Sequence, residues 1–293
     1  MPLSIATHNG TFHADDVLAV ALIRAFLDEE ATVDRTRDPD RLARADVVID
    51  VGGEYDPIRR RFDHHQKSYT GPLSSAGMVL KWLLEQGRME PGLHDLLRTR
   101  VVDYVDDVDN GRVEPLAHVP CFATMVQAAN RGALTLADFD RRFEEAVFMA
   151  DVLVAGVVGD HQEMVEAQAE VRLAMDQAAA TGSNLLVLAR YLRWKPAYFA
   201  LGGEVHPTEF VTMPGLDGSA RVIAIPPQEG SFAQKRPLPA SWAGLVDQEL
   251  EAACGVPGAR FCHKNLFIAV FDTQEHLLQA MAAARVLTGP APA

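Results

Sequence analysis

Val47-Val48-Ile49-Asp50-Val51-Gly52-Gly53 and, a little further on, Arg61-Phe62-Asp63-His64-His65-Gln66 decide how this chain is read. Val47-Val48-Ile49 is a short apolar, β-branched run between polar residues, the pattern of a core strand. It delivers Asp50 to its carboxyl end, where Gly52-Gly53 lets the backbone turn sharply. In open α/β sheets that edge is where ligands sit. A carboxylate and two adjacent imidazoles reaching such an edge are first-row metal ligands, hard oxygens and borderline nitrogens that suit Mn, Fe, Co or Zn. The competing reading is an ordinary hydrogen-bonded surface loop.

Two further stretches weigh against that alternative. Leu3-Ser4-Ile5-Ala6 reads as a strand and Val17–Leu27 as a buried helix, so His8, His13 and Asp15 fall between a strand end and a helix start. The positive end of the helix favours a carboxylate there. Capping, worth about 1 kcal/mol, accounts for one Asp but not for two histidines in the same loop. From Leu93 to Asn110 a helix is expected, with Leu93, Leu97, Val101, Tyr104, Val105 and Val108 as its apolar stripe. Asp103, Asp106 and Asp109 share another face, where like charges repel by about 0.2–0.5 kcal/mol per pair. A bound cation would remove that penalty, through Asp106 in the first instance or Asp109 as the alternative. Ser74-Ser75-Ala76-Gly77 opens a helix to about Gln86, and its small residues let backbone N–H groups approach an anion, which marks Ser75 as a substrate contact.

Composition bounds the rest. With 293 residues, 48% of them apolar and 23% charged, the chain has room for two ordinary globular domains. No uninterrupted apolar run is long enough for a membrane span, and no signal peptide is visible at Met1-Pro2-Leu3-Ser4. Cys121, Cys254 and Cys262, scattered and odd in number, fit reduced thiols in a cytoplasm. A net charge of −13 works against coating a long duplex and favours a small phosphate ester or a strand end. Arg59-Arg60-Arg61 reads mainly as a solvated charge run. Helices are expected over Leu116–Arg131, from Thr135 to about Gly159, and then to Ala180, with His161 on the surface. The second half turns to short strands, with helices at Ala243–Cys254 and Thr273–Val286 and a frayed tail at Gly289–Ala293. These patterns divide the chain into residues 1–160, a connecting helix over 161–183, and residues 184–293.

Taken together, Thr7-His8-Asn9-Gly10-Thr11-Phe12-His13-Ala14-Asp15-Asp16, Asp50-Val51-Gly52-Gly53, Asp63-His64-His65, Ser74-Ser75-Ala76-Gly77, Asp106-Asp107-Val108-Asp109-Asn110-Gly111, Ser231–Pro239 and Gly255–Gly258 closely resemble the melanocyte-proliferating-gene family of metal-dependent hydrolases, related to the DHH phosphoesterases. The resemblance implies an α/β fold, with a parallel-sheet DHH-like N-terminal catalytic domain and a smaller α/β substrate-binding domain. It implies two divalent ions, most often Mn²⁺, with Mg²⁺, Co²⁺ or Zn²⁺ as alternatives. His8, His13 and Asp15 would hold one and Asp50 would bridge. His64 and Asp106 would hold the second, with Asp63 completing the site. Asp63, His64 and His65 would be the catalytic group. His65, Ser75, Lys235, Arg236, His263 and Lys264 are candidates for substrate contact, in a cleft between the domains. Related proteins carry aspartate where His13 stands, and Asn265–Val270 replaces their glycine-rich loop. The activity implied is a phosphodiesterase, a 3′–5′ exonuclease on RNA or short oligonucleotides. A phosphatase or pyrophosphatase acting on nucleotides, or a metal-binding protein without turnover, are the alternatives. No membrane partner is expected, and homo-oligomerisation is left open.

Overall fold

The computed structural model describes residues 1–289 and divides into two compact units, Met1–His161 and a second beginning at Gln162. The frayed tail expected at Gly289–Ala293 lies, from residue 290 onward, outside the described residues.

The first unit is built on a five-stranded sheet: β1 (Ser4–Thr7), β2 (Thr32–Arg35), β3 (Val47–Ile49), β4 (Tyr55–Asp56) and β5 (Arg61–Phe62), in the order β2-β1-β3-β5-β4. All neighbours are parallel except the β4–β5 pair. Because β1, β3 and β5 run the same way, the residues that follow them, His8, Asp50 and Asp63-His64-His65, leave the sheet at one edge. The β4–β5 hairpin absorbs the Arg59–Arg61 run: Arg59 is exposed, but Arg60 and Arg61 are half-buried, with the Arg60 guanidinium over the Trp82 ring.

One face of this sheet is covered by α1 (Ala14–Phe26), whose residues Val17–Ile23 are all buried, and by α3 (Ser75–Glu85) packed against it. A helix apolar on every side belongs inside a core. The other face carries a thin cluster of Ala6, Ala45, Val48 and Val51, partly roofed by Leu42 of the six-residue α2 (Pro39–Arg44). The helix expected over Leu93–Asn110 forms as α4 (Pro91–Leu97), a π-helical turn at Arg98–Val102, and α5 (Asp103–Asp109).

Three expectations for the following segment are corrected. Only α6 (Phe122–Ala129) is helical in Leu116–Arg131, because Pro120 restricts the backbone before it and removes a donor. The break near Gly159 is absent: α7 runs unbroken from Leu136 to Thr181, 46 residues. An interior glycine costs a helix only about 1 kcal/mol, and burial of Phe143, Val147 and Val154 outweighs it. His161, expected at the surface, is buried, with its ring against Gly92 and Nε2 3.6 Å from Glu90.

The second unit holds β6 (Leu185–Val187), α8 (Trp194–Ala200), β7 (Phe210–Pro214), β8 (Ala220–Ala224), α9 (Asp247–Cys254), β9 (Ala259–Cys262), β10 (Ile268–Phe271) and α10 (Gln274–Ala283). Its sheet order is β6-β7-β8-β10-β9, parallel only between β6 and β7. α9 starts later than expected, at Asp247, and ends at Cys254 as expected, α10 is shorter at both ends, and α8 had no clear sequence signal. Trp194 and Tyr198 of α8 pack on one face of the sheet, while Phe210, Trp242, Phe271 and Leu277 belong to the core of the other. Among the described residues no helix is long and apolar enough to cross a membrane.

Candidate metal centre

Asp50 lies at the middle of the site. It leaves β3 in the left-handed region, at φ 55°, a conformation that Asp tolerates better than most residues and that turns its carboxylate back over the sheet edge. Its Oδ2 is 3.2 Å from His8 Nε2, and its Oδ1 is 3.3 Å from His64 Nε2 and 3.4 Å from His65 Nδ1. Ser75 Oγ donates to the same Oδ1 at 3.3 Å.

His8, which is buried, and His64, which is partly buried, both present Nε2 to carboxylates. His8 Nδ1 lies 3.2 Å from the Asn9 carbonyl oxygen and His64 Nδ1 3.3 Å from Asn110 Oδ1. An oxygen acceptor at Nδ1 fixes the proton there and leaves the Nε2 lone pair for a cation. His64 Nε2 also lies 3.1 Å from Asp109 Oδ2 and 3.8 Å from Asp15 Oδ2. His8 Nε2 is 3.4 Å from Asp16 Oδ2.

Asp15 and Asp16, in the first turn of α1, are wholly buried. Asp16 Oδ1 accepts the backbone N–H groups of His13 and Val17, which anchors the helix start. Asp15 Oδ1 and Asp16 Oδ2 have no hydrogen-bond partner among the described residues. Buried carboxylate oxygens without donors are costly, and so are several carboxylates within a few ångströms of each other. The titration behaviour follows from that crowding. Burial pushes Asp16 up to about 7, and burial together with Asp50 and Asp109 raises Asp15 well above the carboxylate range. Burial alone would lower His64, but its contacts with Asp109 and Asp50 push it up to about 11. Burial would raise Asp50, yet His64 and His8 hold it far below the usual range.

Among the described residues, three groups of donors lie close enough to share a cation: His8, His13 and Asp50; Asp50, His64 and His65; and His13, Asp15 and Asp109. Asp50 belongs to two of them, and His13 to two. The donor set of imidazole nitrogens and carboxylate oxygens, with unpartnered oxygens among it, fits first-row divalent ions.

Of the residues singled out from the sequence, His8, His13, Asp15, Asp50, His64 and His65 are brought together here. Asp106 is not. Its Oδ1 accepts from Ser74 N–H, Ser74 O–H and Gly77 N–H, so it caps α3, and burial pushes it up to about 6. Its oxygens lie so close over Gly77 that a Cβ there would come within 2.2 Å of one of them. Asp109, one turn on, reaches the centre instead. Asp63 stands beside the donor groups: it accepts Gly53 N–H at 2.6 Å and lies 2.8 Å from His65 Nδ1, orienting the exposed imidazole. Ser75 is buried against Asp50 and Asp15.

The candidates of the second unit separate as well. Lys235 Nζ donates to Tyr198 Oη and to the Gly203 and His206 carbonyls, so its donors are engaged inside the unit. Arg236 donates to Glu209 and to the Val286 carbonyl. His263 accepts Asn265 N–H and lies against Phe267, with ring centroids 4.4 Å apart, while Lys264 is exposed.

A family model described as "Uncharacterised protein family (UPF0160)", MYG1_exonuc, matches residues 4–286. The chain belongs to this family. A MYG1 protein of Chlamydia trachomatis is 39% identical over 286 residues, covering 96% of both chains. The human MYG1 exonuclease is 33% identical, covering 96% of this chain and 85% of its own. A manganese-bound exonuclease RecJ covers 98% of this chain and 91% of its own at 14% identity, with a TM-score of 0.26.

Four features of the site were not settled by the sequence reading of this family member. Asp16 was visible only as half of an acidic pair. Asn110 looked like a helix stop rather than the partner of His64 Nδ1. The left-handed Asp50 had no signal beyond the glycines after it, and Asp109 shared its helix face with two other acids.

Proposed function

We propose that this protein is a metal-dependent phosphodiesterase, a 3′–5′ exonuclease acting on RNA or short oligonucleotides. The observation that carries the reading is Asp50, a buried carboxylate common to two donor groups, each completed by histidines. The name of the human relative, an exonuclease, supports the nuclease class, and the family resemblance supports RNA and the 3′–5′ direction.

His8, His13, Asp15, Asp50, His64 and Asp109 would hold two divalent ions, with Mn²⁺ the first choice. Such a pair supplies a lowered water pKa and neutralises charge on phosphate oxygens. The chain's own residues do the positioning. Asn9 and Asn110 fix the tautomers of His8 and His64. Asp63 holds His65, the exposed imidazole, where it can touch the substrate phosphate or pass a proton to the leaving oxygen. Water adds to phosphorus, the bond to the ribose oxygen breaks, and that oxygen takes a proton. Incubating the Mn²⁺-loaded protein with end-labelled oligonucleotides, mononucleotides and pyrophosphate tests the assignment, which requires cleavage of the oligonucleotides.

A further inference from the structure

We infer that the cavity over the metal centre continues into a second cavity that seats the nucleoside next to the hydrolysed phosphate, with Arg37 gripping a phosphate where the two cavities meet; this rests on the phosphodiesterase reading above. The first cavity, about 700 Å³, runs from His8, Asp50 and His65 to Arg37, Val51 and Gly52. The second, about 460 Å³, starts at the same Arg37, Val51 and Gly52 and is floored by Leu42 and Val48. Sharing those three residues makes them neighbours in one trough. Each is of the size that holds a small organic ligand.

The chemistry changes along the trough. At the metal end the walls are carboxylates and imidazoles. At the junction Arg37, in the loop between β2 and α2, is exposed and makes no hydrogen bond or ion pair with any described residue. Its neighbours are engaged: Arg35 with Asp140, Arg41 with Asp34 and Arg59 with Glu54. A guanidinium with no carboxylate of its own, a cavity away from a metal centre, suits the planar oxygens of a phosphate. Beyond it the floor is aliphatic, because the short α2 roofs Val48 and Val51 only in part and leaves Leu42 partly buried. Arg61, on the far wall, has its guanidinium on the carbonyls of Arg59, Arg60 and Ala45.

Pyrophosphate or another small inorganic phosphate would have no use for an apolar floor past the cation. A base and ribose would cover it, while the phosphate between nucleosides met Arg37. The trough therefore selects an oligonucleotide with at least one nucleoside beyond the scissile bond.

The test is binding of a 5′-fluorescein phosphorothioate trinucleotide to the Mn²⁺-loaded full chain, by anisotropy, at several salt concentrations. Arg37→Ala should weaken binding about tenfold or more, the loss of a charged hydrogen bond, and flatten the salt dependence by about 0.7 in log–log slope. Ala43→Trp, which fills the second cavity from the exposed side of α2, should weaken binding without changing that slope. Metal content measured alongside should equal that of the wild type. Wild-type affinity in either variant, or no binding by the wild type, overturns the inference. Hydrolysis of the all-phosphate trinucleotide is read separately: normal turnover with unaffected variants removes the second cavity and keeps the phosphodiesterase. Lost binding in both variants, with no turnover in the wild type, keeps the cavity and removes the phosphodiesterase.

Discussion

Replacing Asp50 by Asn removes one negative charge and almost nothing else, which makes it the sharpest perturbation of this centre. Ala is a poorer choice, because residue 50 sits at φ 55°, where a Cβ without a compensating polar group costs about 1–2 kcal/mol and Asn is tolerated. The carboxylate lies 3.2, 3.3 and 3.4 Å from His8, His64 and His65. At an effective dielectric of about 20, each unit-charge contact at such a distance is worth roughly 5 kcal/mol before desolvation is subtracted. The net value of a charged contact is nearer 1.5–3 kcal/mol, so each ion that Asp50 touches should bind about 10–100-fold more weakly. Since Asp50 serves two donor groups, turnover that needs both ions should fall by roughly 10²–10⁴. Mn²⁺ content by elemental analysis, Mn²⁺ titration by calorimetry and oligonucleotide turnover would be compared with the wild type. Metal content and turnover that survive in Asp50→Asn would refute the bridging role.

Other outcomes separate the neighbouring residues. Asp109→Asn should weaken Mn²⁺ binding about 10–100-fold with little change in Tm. Asp106→Ala should do the reverse: with three donors left unmet, a loss of about 3 kcal/mol lowers Tm by about 6–12 °C, checked by calorimetry. In chelator, Tm should be higher at pH 6 than at pH 8. His64, raised to about 11, gives stability that is full below its unfolded pKa and lost as pH rises toward 11, and the cost of ionising Asp16 grows up to its pKa of about 7. With saturating Mn²⁺ that order should invert, because ion binding expels the His64 proton and tightens as pH rises. Lys235→Met should lower Tm while leaving KM for an oligonucleotide near the wild-type value, since its ammonium holds Tyr198 and two carbonyls.

The sheet edge was legible in the sequence because strand period and strand-end chemistry coincide. Val47–Ile49 is a buried run, Asp50 follows it, and His8 and Asp63–His65 follow parallel neighbours. What was not legible depends on packing between distant elements. Asp106 and Asp109 are indistinguishable on a helical wheel, and only the seating of α3 against α5 turns Asp106 toward Ser74 and Gly77. Lys235-Arg236 in an acidic chain reads as a phosphate grip, and the carbonyls that the lysine tail reaches are not revealed by sequence spacing. Arg37 carried no signal at all, because its interest lies in having no hydrogen-bond or ion-pair partner among the described residues. The unbroken α7 went unseen because glycine propensity was weighed without the burial that offsets it.

The central claim is phosphodiester hydrolysis at the Asp50 centre, and one gel addresses it. A 5′-labelled RNA oligonucleotide is incubated with the Mn²⁺-loaded protein, with the chelated protein and with Asp50→Asn. A ladder of products shortening one nucleotide at a time from the 3′ end is expected with the loaded protein only. Intact RNA with the loaded protein, or the same ladder with chelator or with Asp50→Asn, would contradict it.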